Sequence, residues 1–346
     1  MGARLGDVSG SVVERLRSSV PVLAAPMAGG PTTPALVLAA SDAGSAGFLA
    51  AGYQTPDALV AQVEEVRART DAYGVNVFAP NPLPVDPAAY AAYRELLLPL
   101  ADHYQVDLPA EPVEDDDHWH AKVDALASAG APVVSFTFGI PGPWELDRLR
   151  RSGSLLVQTV TSPAEARQAA EAGVDALVVQ SPDAGGHWGT LTPAAPPPRL
   201  VLPDLVSAVA AVVDLPLLAA GGVGSRDDVR AALAAGAEAV AVGTALLLAR
   251  EAGTNPAHRA GLTDRGRPVT THAFSGRPAG ALPNGFLAAY DAAAPLGYPA
   301  LHHLTAPIRR AAASAGDSEH VNVWAGTGYR SAEHRPAAEI LRGLAP

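Results

Sequence analysis

The chain has no cysteine and one lysine, Lys122, among its 346 residues. Without a thiol there can be no disulfide, no thiolate nucleophile and no cysteine-ligated iron–sulfur cluster. Schiff-base aldolases and enzymes that hold pyridoxal phosphate covalently need an activated lysine in the site. Lys122 lies instead in the helical-looking stretch HAKVDALASAG, which disfavours both classes. Basic charge is scarce as well: 24 Lys and Arg against 35 Asp and Glu leave a net charge of -11. Nucleic acid calls for a clustered basic face, and none is present, so no nucleic-acid partner is expected. No apolar run reaches the ~18 residues of a membrane-spanning helix. The head of the chain, MGARLGDVSG, carries charges with no long apolar core after it. A cytoplasmic enzyme without membrane association is the expectation.

What is present is a globular composition, 48% hydrophobic and 17% charged, long enough for one large α/β domain with an extension or for two ordinary domains. The acidic run Glu114 to Asp117 reads as a solvated loop. Eight short apolar runs recur: PVLAAP (21–26), AGFLAA (46–51), YGVNVF (73–78), PVVSFTF (132–138), SLLVQTV (154–160), ALVVQ (176–180), PLLAAGG (216–222) and AVAVGTA (239–245). They are continuous rather than alternating, as in parallel strands covered on both faces. Amphipathic stretches separate them, several opening with Ser or Thr before Pro or an acid and several closing on Gly, which are the start and stop signals of helices. The pattern predicts an α/β fold, a (β/α)8 TIM barrel. A doubly wound open sheet would place a GxGxxG turn after the first strand, where the chain has APMAGGPTTP.

Two segments break the repeat. Residues 79–131 form a long insertion after the third strand, read as a loop with two helices. Residues 253–346 form a helix-and-loop extension after the eighth. The expected division is a barrel over 1–252, insertion included, and an extension over 253–346, with both excursions covering the barrel mouth. The active site of such a barrel lies at the carboxyl ends of its strands. That rule gathers Pro26 and Met27, Asn76, Phe138, Gln158, Gln180 with the loop DAGGHWG (183–189), Gly221 and Gly222, and Gly243 and Thr244 into one pocket. Amides and glycines dominate this set, which suits a flat, hydrogen-bonding ligand better than a metal. His118 and His120 lack further ligands at metal spacing, so no metal is expected. The glycines of AAGGVGS and VGTA follow strands seven and eight, where barrels commonly hold a phosphate, with Ser225 placed to cap the next helix.

PVLAAPMAGGPTTPALVLAASDAGSAGFLAAG, GVNVFAP, VSFTFGIP, VQTVTSPAEARQAAEAGVDALVVQ through DAGGHWG, AAGGVGSRDDVRAALAAGAEAVAVGTAL and FSGRPAG occur in that order over most of residues 20–290. Each motif alone is weak, but the ordered set is specific, and it resembles the FMN-dependent nitronate monooxygenase family. The resemblance implies an FMN-binding barrel. It implies flavin contacts from Asn76, Gln180, Gly185, Gly222 and the stretch Ala241, Val242, Gly243 and Thr244, with Pro26, Met27, Gly186 and Gly221 beside them. It implies that His187 is the catalytic histidine and that small nitro compounds and O2 are the substrates. The chain departs from the family pattern at Asp183, where a glutamate is usual, and at the bulky Trp188.

The residues themselves suggest why glycines precede that histidine. Gly185 and Gly186 would let the backbone approach a ligand and would set the direction of His187. An imidazole with a reference pKa of about 6.5 is suited to taking a proton from the acidic carbon of a nitroalkane. Reductases of quinones or enoyl thioesters that use NAD(P)H are the alternative within the same family. The tail stretch WAGTGY (324–329) is readable either as a pocket wall or as a surface loop.

Overall fold

Every one of the eight apolar runs becomes a strand, and the eight close on one another. The computed structural model describes residues 11–263 and 265–346; residues 1–10, expected at the head of the barrel unit, lie outside the described residues. The strands are β1 (Val22–Ala24), β2 (Gly47–Ala50), β3 (Tyr73–Ala79), β4 (Val133–Phe138), β5 (Leu155–Val160), β6 (Ala176–Gln180), β7 (Gly186–His187), β8 (Leu217–Ala220), β9 (Ala239–Val242), β10 (Val269–Thr271) and β11 (Ala279–Ala281). All but β7, β10 and β11 form a closed parallel barrel in the order β1-β2-β3-β4-β5-β6-β8-β9, with β9 pairing back to β1. The three remaining strands form a small antiparallel sheet ordered β10-β11-β7.

The helix signals act as the sequence suggests. Thr33, Thr55 and Ser162 each accept a backbone N–H with Pro at the first helical turn, which satisfies donors that a helix start leaves free. Ser225 caps the helix Arg226–Ala234 in a reciprocal capping box with Asp228. Buried aliphatics such as Val37, Val63, Leu156, Leu205, Val229 and Leu341 fill the layer between strands and helices. A second apolar plug, including Val12, Leu23, Phe48, Val133 and Val157, fills the bottom of the barrel.

Two boundaries differ from expectation. Helix Trp119–Ala129, assigned by sequence to the insertion covering the mouth, packs beside helices Pro56–Arg67 and Pro143–Arg151. It is the ring helix between β3 and β4, so the excursion proper spans about residues 80–118. At the other end, helix Ala337–Leu344 packs on β1 and on helix Pro34–Asp42. Its Ile340, Leu341 and Leu344 join the barrel core, so it supplies the eighth ring helix. Between these, helix Pro87–Tyr104 and helix Ala300–Ser314 pack together over their own core, which includes Tyr93, Phe274, Phe286, Leu301 and Ile308.

Glu114, Asp115 and Asp116 are exposed, as read from the acidic run, but its last residue differs. Asp117 is not solvated: its carboxylate meets Lys122 at 2.7 Å, and that lysine side chain is 1% exposed. Asp115 pairs with His303 at 2.7 Å. The loop is held by these two contacts, Asp117 with Lys122 and Asp115 with His303.

Candidate active site

Strand alternation decides what the barrel mouth contains. On β3 and β4 the side chains of Val75, Val77, Val134 and Phe136 enter the layer beneath the helices, which turns Asn76, Ser135 and Thr137 inward. Ser135 and Thr137 both donate to Asn76 Oδ1, at 2.9 and 3.0 Å, and so fix the orientation of its amide. The same alternation corrects two expectations. Gln158 shares the outer face with Leu156 and Val160 and does not line the cavity. Phe138 takes a left-handed φ of 84° and lies behind His187, edge to face at 5.5 Å.

A cavity of about 290 Å³ lies at the carboxyl ends of the strands. Pro26, Met27, Asn76, Gln180, Gly185, Gly186, His187, Gly221, Gly222, Ala241, Val242, Gly243 and Thr244 all line it, whereas Phe138, Gln158, Asp183, Trp188 and Gly189, which the sequence also placed there, do not. Sequence reasoning did not single out Tyr53, Ser275, His302, Arg309 or Asn322, which line it too, and it left Trp324, another lining residue, open between pocket wall and surface loop. Ser275 lies within the quoted motif FSGRPAG, which was a usable signal. Tyr53 lies in the loop just after β2, and His302, Arg309 and Asn322 come from the cover, where no local pattern marks them.

The histidine loop is held from several sides. Gln180 Nε2 donates to the carbonyl of His187 at 3.1 Å, and Gln180 Oε1 accepts from Gly189 N at 2.7 Å. Gly186 and His187 form β7 and pair antiparallel with Gly280 and Ala279 of β11. The ring itself meets Ser275 Oγ through Nε2 at 2.8 Å and lies against Phe138, Tyr298 and Trp324. Burial, then the charges of Arg277 and Arg309, lower its pKa from 6.5 to about 3, so the imidazole is neutral at ordinary pH.

The glycines have two separate causes. A Cβ on Gly185 would meet Gly326 N at 2.6 Å and Ala325 C at 2.7 Å, so this glycine admits the tail segment rather than a ligand. Gly186 has a φ of +72°, and a Cβ there would meet nothing within 4 Å. It is the one that leaves space in the cavity. The WAGTGY stretch therefore walls the site, with Trp324, Gly326 and Gly328 in its lining.

The turns after β8 and β9 keep their anion-binding character in part. Gly221 and Gly222 take φ of +103° and +77°, and the backbone there passes close to Ser181 and Asp183. The helix start at Ser225 is filled internally, because Asp228 accepts from Gly224 N at 3.0 Å and Ser225 N at 2.8 Å. An anion at this end of the cavity is left to the glycine turns themselves. Electrostatically the lining holds Arg309 and no carboxylate among the described residues. Arg277 lies just behind it, 0% exposed, 4.1 Å over the Phe138 ring and donating to the carbonyls of Asn81 and Thr190.

A closed parallel barrel whose covered mouth holds fixed amides and a neutral, anchored histidine defines a barrel enzyme with its active centre at the strand ends. The chain matches the family model for nitronate monooxygenase over residues 11–346, and it belongs to that family of oxidoreductases. A probable nitronate monooxygenase of Staphylococcus aureus (strain Newman) is 33% identical over 340 residues, 96% of this chain and 95% of the relative. Among solved structures, nitroalkane oxidase from Streptomyces ansochromogenes superposes with a TM-score of 0.90 at 40% identity, over 96% of each chain. FabK from Thermotoga maritima superposes with a TM-score of 0.75 at 26% identity, over 96% of this chain and 94% of that one.

Proposed function

We propose that the protein is an FMN-dependent oxidoreductase that oxidises alkyl nitronates, and the nitroalkanes from which they form, with O2 to a carbonyl compound and nitrite, with His187 as the catalytic base. The observation that carries this reading is a neutral imidazole facing a cavity that holds guanidinium charge and, among the described residues, no carboxylate. A nitronate is a delocalised anion made by removing a proton from carbon. A positive surrounding stabilises it, and a neutral imidazole can accept that proton.

The tautomer follows from the anchor. Ser275 Oγ has a second contact, to the carbonyl of Arg277 at 3.3 Å. With the serine hydrogen directed there, His187 Nε2 donates to Oγ and Nδ1 carries the free lone pair. The base is held by a neutral hydroxyl rather than by a carboxylate, so its proton affinity depends on the anion brought to it.

FMN fits the lining. The space beside Gly186 is a cradle that a Cβ would fill, the fixed amides of Asn76 and Gln180 suit a polar ring edge, and the turns at Gly221, Gly222, Gly243 and Thr244 suit a phosphate. Pro26, Met27, Gly185, Ala241 and Val242 would complete its walls. When bound, FMN supplies the electron acceptance and the reaction with O2 that no side chain provides. The protein excludes water, orients the nitronate and takes the proton.

The likeness to FabK favours one second reading, an NAD(P)H-dependent reductase of quinones or enoyl thioesters. The two separate in one experiment on the purified flavoprotein. Bleaching of the visible spectrum by a nitronate without air, and nitrite release with air, support the first. Loss of NADH with a quinone and no nitrite from any nitronate would establish the second instead.

A further inference from the structure

Two guanidinium groups accompany the histidine, and they are bound differently. Arg277 is sealed, with its Nη atoms on carbonyls and its plane over Phe138. Arg309 opens into the cavity. Its Nε donates to Thr305 Oγ1 at 3.0 Å, its Nη1 to Asn322 Oδ1 at 3.2 Å and its Nη2 to the carbonyl of His302 at 2.9 Å, with His302 Nδ1 at 3.3 Å. All four partners are neutral, since burial and the charge of Arg309 hold His302 well below its ordinary pKa. No carboxylate lies within ion-pair distance of Arg309 among the described residues. Burial lowers its pKa from 12.5 to about 10, which still leaves it charged at neutral pH.

A cation taken out of water without a counter-ion is unfavourable, and such groups persist where a ligand supplies the missing charge. The surroundings also hold the fork in place. His302 stacks on Tyr53 with ring centres 4.1 Å apart and planes 4° apart. Tyr53 has a left-handed φ of 65°, and its N–H donates to Asp117 Oδ1 at 3.0 Å. Asn322 and Trp324 come from the tail segment that also touches His187. Three separate parts of the chain thus converge on one guanidinium that has no anion of its own.

We propose that Arg309 is the substrate-anchoring residue, its charge and its remaining Nη1 N–H holding an oxygen of a planar, singly charged anion on the His187 side of the cavity. The assignment rests on the nitronate reading above, since a nitronate has that shape and charge. Four of the five guanidinium N–H groups meet the partners above, so one Nη1 N–H and an uncompensated charge are left for the anion, in a contact that a lysine ammonium on a differently shaped stem reproduces only in part. The binding energy sits at the nitro end of the substrate, and the alkyl end faces the aromatic walls of Tyr53 and Trp324.

The test uses the flavin-loaded protein and nitrate, a planar anion that is not oxidised. In the wild type nitrate should compete with nitronate. Replacing Arg309 by Met should raise both the nitrate Kd and the nitronate KM by about 10- to 100-fold, as expected for loss of a charge-assisted hydrogen bond, with a smaller effect on kcat and on the KM for neutral nitroalkanes. Arg309→Lys should fall between the two. Nitrate that fails to compete in the wild type overturns the proposal, as does a natively melting Arg309→Met protein whose two constants stay within about twofold of wild type. If the methionine variant does not fold, the lysine variant decides: an unchanged nitrate Kd overturns the assignment. Should nitrate binding depend on Arg309 while nitronates give no nitrite, the anion site stands and the nitronate reading falls.

Discussion

His187 Nε2 lies 2.8 Å from Ser275 Oγ, although 88 positions separate the two residues in the chain. The contact joins the loop after β6 to the cover, so the imidazole is aimed by a residue that the barrel does not contain. His187→Asn should keep the flavin and lose turnover of neutral nitroalkanes by about 100-fold or more, the contribution of a general base. Ser275→Ala should lose less, about tenfold, because the imidazole remains but is no longer oriented. Nitrite release from a neutral nitroalkane and from its preformed nitronate, measured side by side, checks both. Full activity in His187→Asn would remove this residue from the mechanism.

Gly185 and Gly186 should respond differently to alanine. At Gly185 the new methyl would press on backbone atoms of Ala325 and Gly326, which cannot rotate away. A loss of about 1–3 kcal/mol in stability is expected, as for overpacking, and thermal melting will show it. At Gly186 the methyl enters open space in a left-handed conformation, which costs about 1 kcal/mol of strain and narrows the cavity. That variant should melt close to the wild type and bind FMN more weakly.

Acid sensitivity follows from the buried imidazoles. Burial lowers the pKa of His187 to about 3 and that of His258 to about 4. In the unfolded chain both take up a proton near pH 6.5, about the reference value. Below that pH the unfolded state binds protons that the folded state refuses, so stability falls as the pH drops toward 4. Each histidine contributes a slope of up to about 1.4 kcal/mol per pH unit. Urea midpoints from pH 7 to pH 5 should therefore fall, and fall less steeply in His187→Asn. A midpoint that does not move over this range would contradict the buried, neutral assignment.

Lys122 matters for stability rather than chemistry. Its partner Asp117 is drawn upward in pKa by burial, against the stabilising contact with the lysine. Lys122→Met should cost about 3–5 kcal/mol, because it leaves a buried carboxylate without its cation. Adding Asp117→Leu should restore part of that loss, and only part, since the carboxylate also accepts the N–H of Tyr53 at 3.0 Å. Denaturant melts of the three proteins measure it.

Much of the cavity lining is legible in the sequence because strand ends in a parallel barrel converge, and short apolar runs mark those ends. Pro26, Asn76, Gln180, Gly222 and Gly243 needed nothing more. Gln158 was misread although the information was local: it lies two residues from Leu156 and two from Val160, and the twofold period of a strand puts all three on one face. Asp117 was misread for a reason that sequence cannot supply, since its lysine is brought to it by the path of the loop. Helices 119–129 and 337–344 carry ordinary amphipathic patterns, and such a pattern does not say which layer buries it.

The sequence alone determined the order of eight strands, the capped helices between them and the glycine turns at their ends, because periodicity, caps and left-handed turns act over a few residues. Only the tertiary structure decided what faces His187. Ser275, Trp324 and Arg309 reach it from the returning chain, and β7 exists because β11 pairs with it. Those contacts depend on long-range packing of the cover on the mouth, a summed effect of many buried apolar side chains that no short stretch encodes.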